Sequence, residues 1–505
     1  MRRRLALAGV VLLGAALRVY PIWFGIPYPQ ARPDETTVLG HAVAVLGGDP
    51  NPHFFNWPSL TFYLLAGIFA VAQTLKGALT PVEYTLLARG CMAVAGTATI
   101  LVLFRLARRV TDETTAVIAS LLLAVAILHV RESHFAMTDT LMTLLATACL
   151  ALLVEAKATA RTALFALAGL AGGLATSTKY SAAPLVIAIV AAASGWRSVV
   201  LFSSAFAAGF VAASPYAVLD FHTFRADVAF ERAHLAAGHT GANLGSGWLY
   251  HLTQSLPYGL GLPIFVASVL GVVPLWRHHR AAARPLALFA IVFFAGIGSG
   301  RTVFFRYILP LLPLACLSAA AAIRALAGWL APRARLSPAV ASAVLAVLVA
   351  AIPLASSVRM DLLLARTDTR VLAAGWLAPR LRAEDTVHDG GGDYVRLDLG
   401  RTPFHEWRYD AAAGGFAGAG QRTPDWIVLY DYAAPLRHYA APEPALRALA
   451  RKDYSLVYEV VGMRGGDAAA FDREDAFFMP IAGFRSVERP GPNVAIYRRA
   501  GLPPR

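Results

Sequence analysis

Two adjacent carboxylates, Asp34 and Glu35, follow Arg32 and Pro33 a few residues beyond the first apolar stretch, Leu5 to Phe24. Acids held where a membrane-embedded chain meets water are costly there, which makes them the first functional suspects. Pro33 suits the first turn of a helix, and a helix N-terminus favours negative charge. A capping role in an interfacial helix fits that placement. So does a general base with a neighbouring acid to orient it, the arrangement needed when a hydroxyl or amine must lose a proton as it attacks.

Other polar groups interrupt the apolar pattern. The segment Arg131-Glu132-Ser133-His134-Phe135-Ala136-Met137-Thr138-Asp139 closes one apolar stretch and opens the next. His134 and Asp139 therefore sit at helix ends, as a polar turn and cap or as contacts to a substrate. Lys179-Tyr180 ends a later stretch, and Arg306 opens another in Phe304-Phe305-Arg306-Tyr307. Each cation either reaches for lipid head groups or binds an anionic phosphate. His53 lies in Pro52-His53-Phe54-Phe55-Asn56-Trp57-Pro58, before a further apolar segment. Glu231, His234 and His239 are spaced too irregularly for a zinc site and read as part of a substrate-facing loop over 220–250. Asp389-Gly390-Gly391-Gly392-Asp393 reads as a strand-end turn, since no further acid follows at calcium-loop spacing.

The elements that must position these groups are membrane helices. Of 505 residues, 57% are hydrophobic and 15% charged, and the apolar stretches repeat at the roughly 17 to 25 residues that a bilayer core demands. A net charge of +14 would suit nucleic acid, but Lys and Arg are dispersed in short loops, where they set orientation. Cys91, Cys149 and Cys316 lie inside apolar stretches with no metal or redox spacing. Leu5 to Phe24 is long for a signal peptide and lacks a small-x-small cleavage site, so it reads as a retained anchor.

Basic clusters assigned to the cytoplasm fix a topology. They are Arg2-Arg3-Arg4; Arg105, Arg108 and Arg109; Lys157 and Arg161; Arg197; Arg277, Arg280 and Arg284, next to His278-His279; and Arg324, Arg333 and Arg335. Eleven spans then fit, at about 5–24, 86–106, 114–130, 139–156, 162–178, 181–196, 198–216, 256–276, 285–299, 307–325 and 337–356, with the N-terminus inside. Pro58 to Leu75 becomes a juxtamembrane or re-entrant helix in an outer first loop, 25–85. Asp34, Glu35, His53, His134, Asp139, Lys179, the 220–250 loop and Arg306 all fall on the outer face, although only the basic clusters chose the orientation. Residues 357–505 hold no further span. Strand-like runs at 425–430, 455–461 and 493–498 alternate there with helical segments at 369–377 and 442–450, and an Ala/Gly-rich loop covers 411–420. The pattern predicts an extracytoplasmic soluble α/β domain after a membrane domain over 1–356.

With these motifs in this order, the chain resembles the GT-C superfamily of membrane glycosyltransferases, most of all its protein O-mannosyltransferase and aminoarabinose-transferase branch. The resemblance rests on Arg32-Pro33-Asp34-Glu35, Pro52 to Leu60, His134 to Asp139, Gly173 to Tyr180, and Arg306 to Pro313, and it covers residues 1 to about 325. It implies a polytopic α-helical membrane protein of GT-C type in the inner (plasma) membrane. It further implies a sugar donor carried on polyprenyl phosphate and inverting transfer to an acceptor hydroxyl on a lipid, glycan or protein at the outer face. By position, Asp34 is implied as the base with Glu35 beside it, and Asp139 as the second acidic residue. His53, His134 and His239 turn to the substrate, and Lys179, Tyr180 and Arg306 to the lipid phosphate. Such a displacement requires no cofactor, though it is compatible with a divalent metal, and it involves no nucleic acid. Two departures stand out. Asn56-Trp57-Pro58-Ser59 replaces the lysine and paired prolines of the aminoarabinose branch, and residues 357–505 do not resemble the added lumenal domains of eukaryotic protein mannosyltransferases. The alternative is a transporter or flippase for a lipid-linked or small polar substrate. That reading calls for ionisable groups at the midplane and for inverted repeats, whereas here the acids cluster at one face. A third reading is a receptor or assembly protein acting through the exported tail.

Overall fold

A computed structural model describes residues 2–239, 243–392, 394–417, 422–432, 439, 441–465 and 469–502. The chain divides into two compact units, Met1–Ile22 with Thr37–Val358, and Trp23–Thr36 with Arg359–Arg505.

The first unit is helical. Among the described residues, six helical stretches are long and apolar enough to cross a membrane: Pro81–Val110, Thr138–Thr159, Trp196–Ala213, Leu262–Gly298, Phe305–Arg333 and Pro338–Arg380, the last running on into the second unit. The protein is a multi-pass membrane protein. Shorter apolar helices, Leu60–Lys76, Glu113–Val125, Thr162–Thr176 and Tyr180–Ala192, accompany them, and the chain opens on the helix Arg2–Val19. Local chemistry sets the ends. Thr80 and Glu83 cap one another's backbone around Pro81, and Asp112 accepts from the Thr115 amide at 2.9 Å where the next helix starts.

Several expected spans take a different form. The span expected at 114–130 stops at Val125, turns at extended Ala126 and restarts as Ile127–Glu132. A break exposes carbonyls, and the buried guanidinium of Arg18 donates to those of Leu123 and Ala124, both at 3.0 Å. A cation inside such a body needs hydrogen-bond partners, so the arginine and the break complete each other. The spans expected at 256–276 and 285–299 are joined through His279, the one non-helical residue within Leu262–Gly298, which lies between Pro274 and Pro285. Proline removes a backbone donor and crowds the preceding turn, which favours a kink. The 220–250 segment, expected as a loop, contains the helix Phe221–Ala237, which ends where Gly238 takes φ +76°.

Small residues let the helices meet. A Cβ at Gly169 or Gly173 of Thr162–Thr176 would strike the carbonyl oxygens of Phe202 and Phe206 in Trp196–Ala213. Gly173→Leu is therefore expected to force these helices apart, at a cost of about 1–3 kcal/mol or more. Thermal unfolding of the detergent-solubilised variant checks this, and an unchanged midpoint would contradict the close approach.

The second unit is built on a five-stranded mixed sheet in the order β2-β1-β5-β7-β6, with β1 Thr386–Asp389, β2 His405–Glu406, β5 Trp426–Asp431, β6 Tyr454–Val460 and β7 Asn493–Arg499. β3 Tyr409–Asp410 and β4 Gly415–Phe416 form a separate antiparallel pair. β1 runs parallel to both β2 and β5, while β7 is antiparallel to β5 and β6. The first five residues of β5 are buried, as suits a central strand, and Ile427 and Leu429 share a core with Leu446 and Ala450 of the helix Pro444–Asp453. The three expected strand runs and both expected helical segments fall on elements of this domain. Asp393 and residues 418–420 of the two expected loops lie outside the described residues.

The segment Trp23–Thr36 groups with this domain rather than with the helices on either side of it in sequence. Phe24 meets Phe477 edge-to-face at 5.8 Å, and the Tyr28 hydroxyl donates to the Arg396 carbonyl at 2.7 Å. The Arg370 guanidinium lies 4.4 Å from the centre of the Tyr28 ring and 5.3 Å from that of Phe478. Arg32, fully buried, pairs with Asp475.

Candidate active site

In the membrane unit, three of the residues singled out in the sequence converge. Asp139 stands in the first turn of Thr138–Thr159, fully buried, where the helix N-terminus favours a carboxylate. Lys179, in the extended residue before the short turn Tyr180–Ala182, donates to it at 2.7 Å from Nζ. Arg306, in the 3₁₀ turn Phe305–Leu311, brings Nε to 3.9 Å of the other carboxylate oxygen. Two cations on one acid leave the trio with a formal positive charge. Aromatic rings back both cations: Lys179 Nζ is 4.7 Å from the centre of Tyr307, and Arg306 Cζ is 3.9 Å from that of Phe304.

Lys179, Tyr180 and Tyr307 line a cavity of about 450 Å³ whose other walls include Trp57, Phe224, Leu235, Phe293 and Ile297. The walls are thus mostly apolar, and the charged side chains among them are Lys179, Arg232 and Glu231. Asn56 and Trp57 line the cavity from the first-loop segment over 51–57, which three acids tie to the helix Phe221–Ala237 and its N-terminal cap residue Asp220. Asp220 accepts from the Asn51 amide group at 3.1 Å, Asp227 from the Phe55 backbone N–H at 2.7 Å, and Glu231 from Asn56 Nδ2 at 2.7 Å. Tyr180 completes the tie by donating its hydroxyl to the Phe55 carbonyl at 2.9 Å.

The remaining candidates lie elsewhere. His53 adopts φ +47°, is largely exposed and faces Asp49 at 3.2 Å, so it shapes the loop turn. His134 is fully buried between the Val130 and Tyr20 carbonyls, 2.9 Å from each, and links the end of the first helix to Ile127–Glu132. His239 packs edge-on against His234 and against Phe304, the ring that carries Arg306. In the second unit, Asp34 and Glu35 occupy the first turn of Pro33–Leu46. Glu35 is buried, whereas the Asp34 side chain is 35% exposed and lies 3.8 Å from Arg32. Among the described residues no three or more His, Cys, Asp or Glu side chains form a group that could hold a metal ion.

Sequence reasoning missed the three-acid face of Phe221–Ala237, although spacings of seven and four residues from Asp220 to Asp227 to Glu231 carry that signal once the segment is taken as helical. It also gave no role to Phe304 and Tyr307, whose positions flanking Arg306 were visible.

Comparison with known proteins agrees with this architecture. Residues 60–220 match the family model described as dolichyl-phosphate-mannose-protein mannosyltransferase. The chain has the fold of the GT-C membrane glycosyltransferases. It superposes on ArnT of Cupriavidus metallidurans, solved with undecaprenyl phosphate bound, over 99% of both chains with a TM-score of 0.51 and 16% identity. It also superposes on the oligosaccharyltransferase of Archaeoglobus fulgidus in the apo form, with a TM-score of 0.53 and 15% identity, over 75% of this chain and 58% of that one. The same archaeal enzyme, AglB, in complex with an inhibitory peptide and a dolichol-phosphate, gives a TM-score of 0.52 and 14% identity over the same shares. The chain therefore spans little more than half the length of the archaeal enzyme. No curated protein sequence matches it.

Proposed function

We propose that this protein is an inverting glycosyltransferase of the inner membrane that moves a sugar from a polyprenyl-phosphate carrier to an acceptor hydroxyl on the extracytoplasmic face. The N-terminus is cytoplasmic and the C-terminal domain extracytoplasmic. The observation that carries this reading is the mostly apolar cavity with Lys179 at its wall, held on Asp139 beside Arg306. An isoprenoid chain needs apolar walls, and its phosphate needs fixed positive charge. The lipid phosphates bound to the ArnT and AglB structures support the same substrate class.

In the proposed step, Asp34 accepts the proton of the acceptor hydroxyl as that oxygen attacks the anomeric carbon. The bond from that carbon to the phosphate oxygen breaks, and polyprenyl phosphate leaves with the electron pair. Charge grows on the phosphate as the bond breaks, so preorganised cations lower the barrier more than they tighten ground-state binding. Lys179 and Arg306 take that role, Tyr180 fixes the loop that borders the cavity, and the scheme requires no metal.

Native mass spectrometry of the purified full-length chain tests the substrate class. A polyprenyl phosphate or its sugar conjugate is expected to co-purify and to exchange with added undecaprenyl phosphate. A chain that carries only a small polar solute and takes up no added lipid phosphate would point to transport instead.

A further inference from the structure

The second unit contains a cleft that the transfer reaction does not use. It measures about 420 Å³ and opens at the carboxyl ends of β1 and β2, lined by His388 and Asp389 at the end of β1, by Arg396, by Glu406 of β2, and by Tyr409 and Leu446. That size is within the range of small-molecule sites. Its place in the fold is equally telling. β1 leads on to β2 on one side, whereas β5, the parallel neighbour on the other side, leads on to β6 across β7. Connections that depart in opposite directions create a crevice at the strand ends, where open α/β sheets bind their ligands.

One side chain is poised for a ligand. His388 is only 6% exposed, its Nδ1 lies 3.0 Å from the Trp407 carbonyl oxygen, and its Nε2 has no hydrogen-bond partner among the described residues. A buried polar atom left unsatisfied costs about 1–3 kcal/mol, and a bound hydroxyl would remove that cost.

The chemistry of the walls narrows the ligand. The Gly390 and Gly391 amides, which in a phosphate loop would face the anion, are engaged with the Val428 carbonyl at 3.0 Å and with Asp389 Oδ1 at 2.9 Å. The lining carries two cations, Arg396 and Arg408, against three acids, Asp389, Glu406 and Glu443, and burial holds the Asp389 carboxyl above its usual range. Glu406 accepts from Arg396 at 2.8 Å and has Arg408 Nε at 3.8 Å, so donors and an acceptor stand side by side, with the Tyr409 ring and Leu446 as apolar faces. A neutral molecule with adjacent hydroxyls and C–H faces suits this wall better than an anion.

We propose that this cleft is a second binding site and that it takes a saccharide. The inference stands apart from the transfer chemistry, because binding is measured without turnover. Full-length protein in lipid nanodiscs is titrated calorimetrically with maltotriose, mannotriose and chitotriose, and with inorganic phosphate as the anionic probe. At least one sugar is expected to bind saturably and phosphate not at all. Glu406→Gln and His388→Phe are each expected to weaken sugar binding by about tenfold or more. Glu406 lies at the surface, so its variant tests the site without disturbing the core. Failure of all three sugars to bind, binding of phosphate in their place, or sugar binding retained by both variants overturns the proposal.

Discussion

Asp34→Asn is expected to lower sugar transfer about 10²- to 10⁴-fold while leaving polyprenyl phosphate bound. The amide keeps the shape of the carboxylate and its place in the first turn of Pro33–Leu46, but it cannot take the acceptor's proton. The side chain is partly exposed, and the buried Arg32 beside it keeps its pairing with Asp475, so the melting temperature should fall little. Glu35, buried in the same turn, gives a useful contrast. Glu35→Gln removes a charge from the core and should disturb stability more than Asp34→Asn does, with a smaller effect on the chemical step. A transfer assay with a radiolabelled polyprenyl-phosphate sugar, run beside thermal unfolding, separates the two. Near-normal turnover in Asp34→Asn would remove it from the role of base.

Lys179→Met should be damaging in two ways. It leaves Asp139 buried with Arg306, at 3.9 Å, as the remaining cation beside it among the described residues, and breaking a buried pair from one side costs about 3–5 kcal/mol. It also withdraws a cation from the departing phosphate, a loss worth about 10²- to 10³-fold in rate by analogy with other preorganised electrostatic contacts. The double variant Lys179→Met/Asp139→Asn distinguishes the two effects. Neutralising both partners removes the buried carboxylate that the single variant strands and restores part of the stability, although Arg306 then loses Asp139 as a counter-charge, yet transfer should stay low. Recovery of transfer together with stability would make the pair purely structural, and the phosphate-binding role would fall.

The relation between sequence and structure differs element by element. β5, β6 and β7 follow runs of alternating or continuous apolar residues, and Thr369–Leu377 coincides with the helical segment expected there, because such elements are encoded by local periodicity. The break at Ala126 was not legible, since its partner is Arg18, more than a hundred residues away. The same holds for the helix Phe221–Ala237, whose polar face makes sense only against the loop at 51–57.

The histidines show the limit most clearly. His53, His134 and His239 looked alike as outer-face polar residues, yet one shapes an exposed turn, one links two helices through backbone carbonyls and one packs near the ring under Arg306. A side chain's type states what bonds it can make, and only its neighbours decide which it does make.

The sequence by itself determined that this is a multi-span membrane protein with a tail of alternating strand and helix segments, and it supplied the short list of ionisable residues. Hydropathy and strand periodicity are properties of contiguous residues, so they survive without coordinates. The tertiary structure alone decided that Asp139, Lys179 and Arg306 form one cluster from which Lys179 lines a mostly apolar cavity, and that Trp23–Thr36, with Asp34 and Glu35, belongs to the C-terminal unit through Arg32 and Asp475. Those contacts join residues far apart in the chain, and nothing in local sequence fixes which distant charge a buried ion will find.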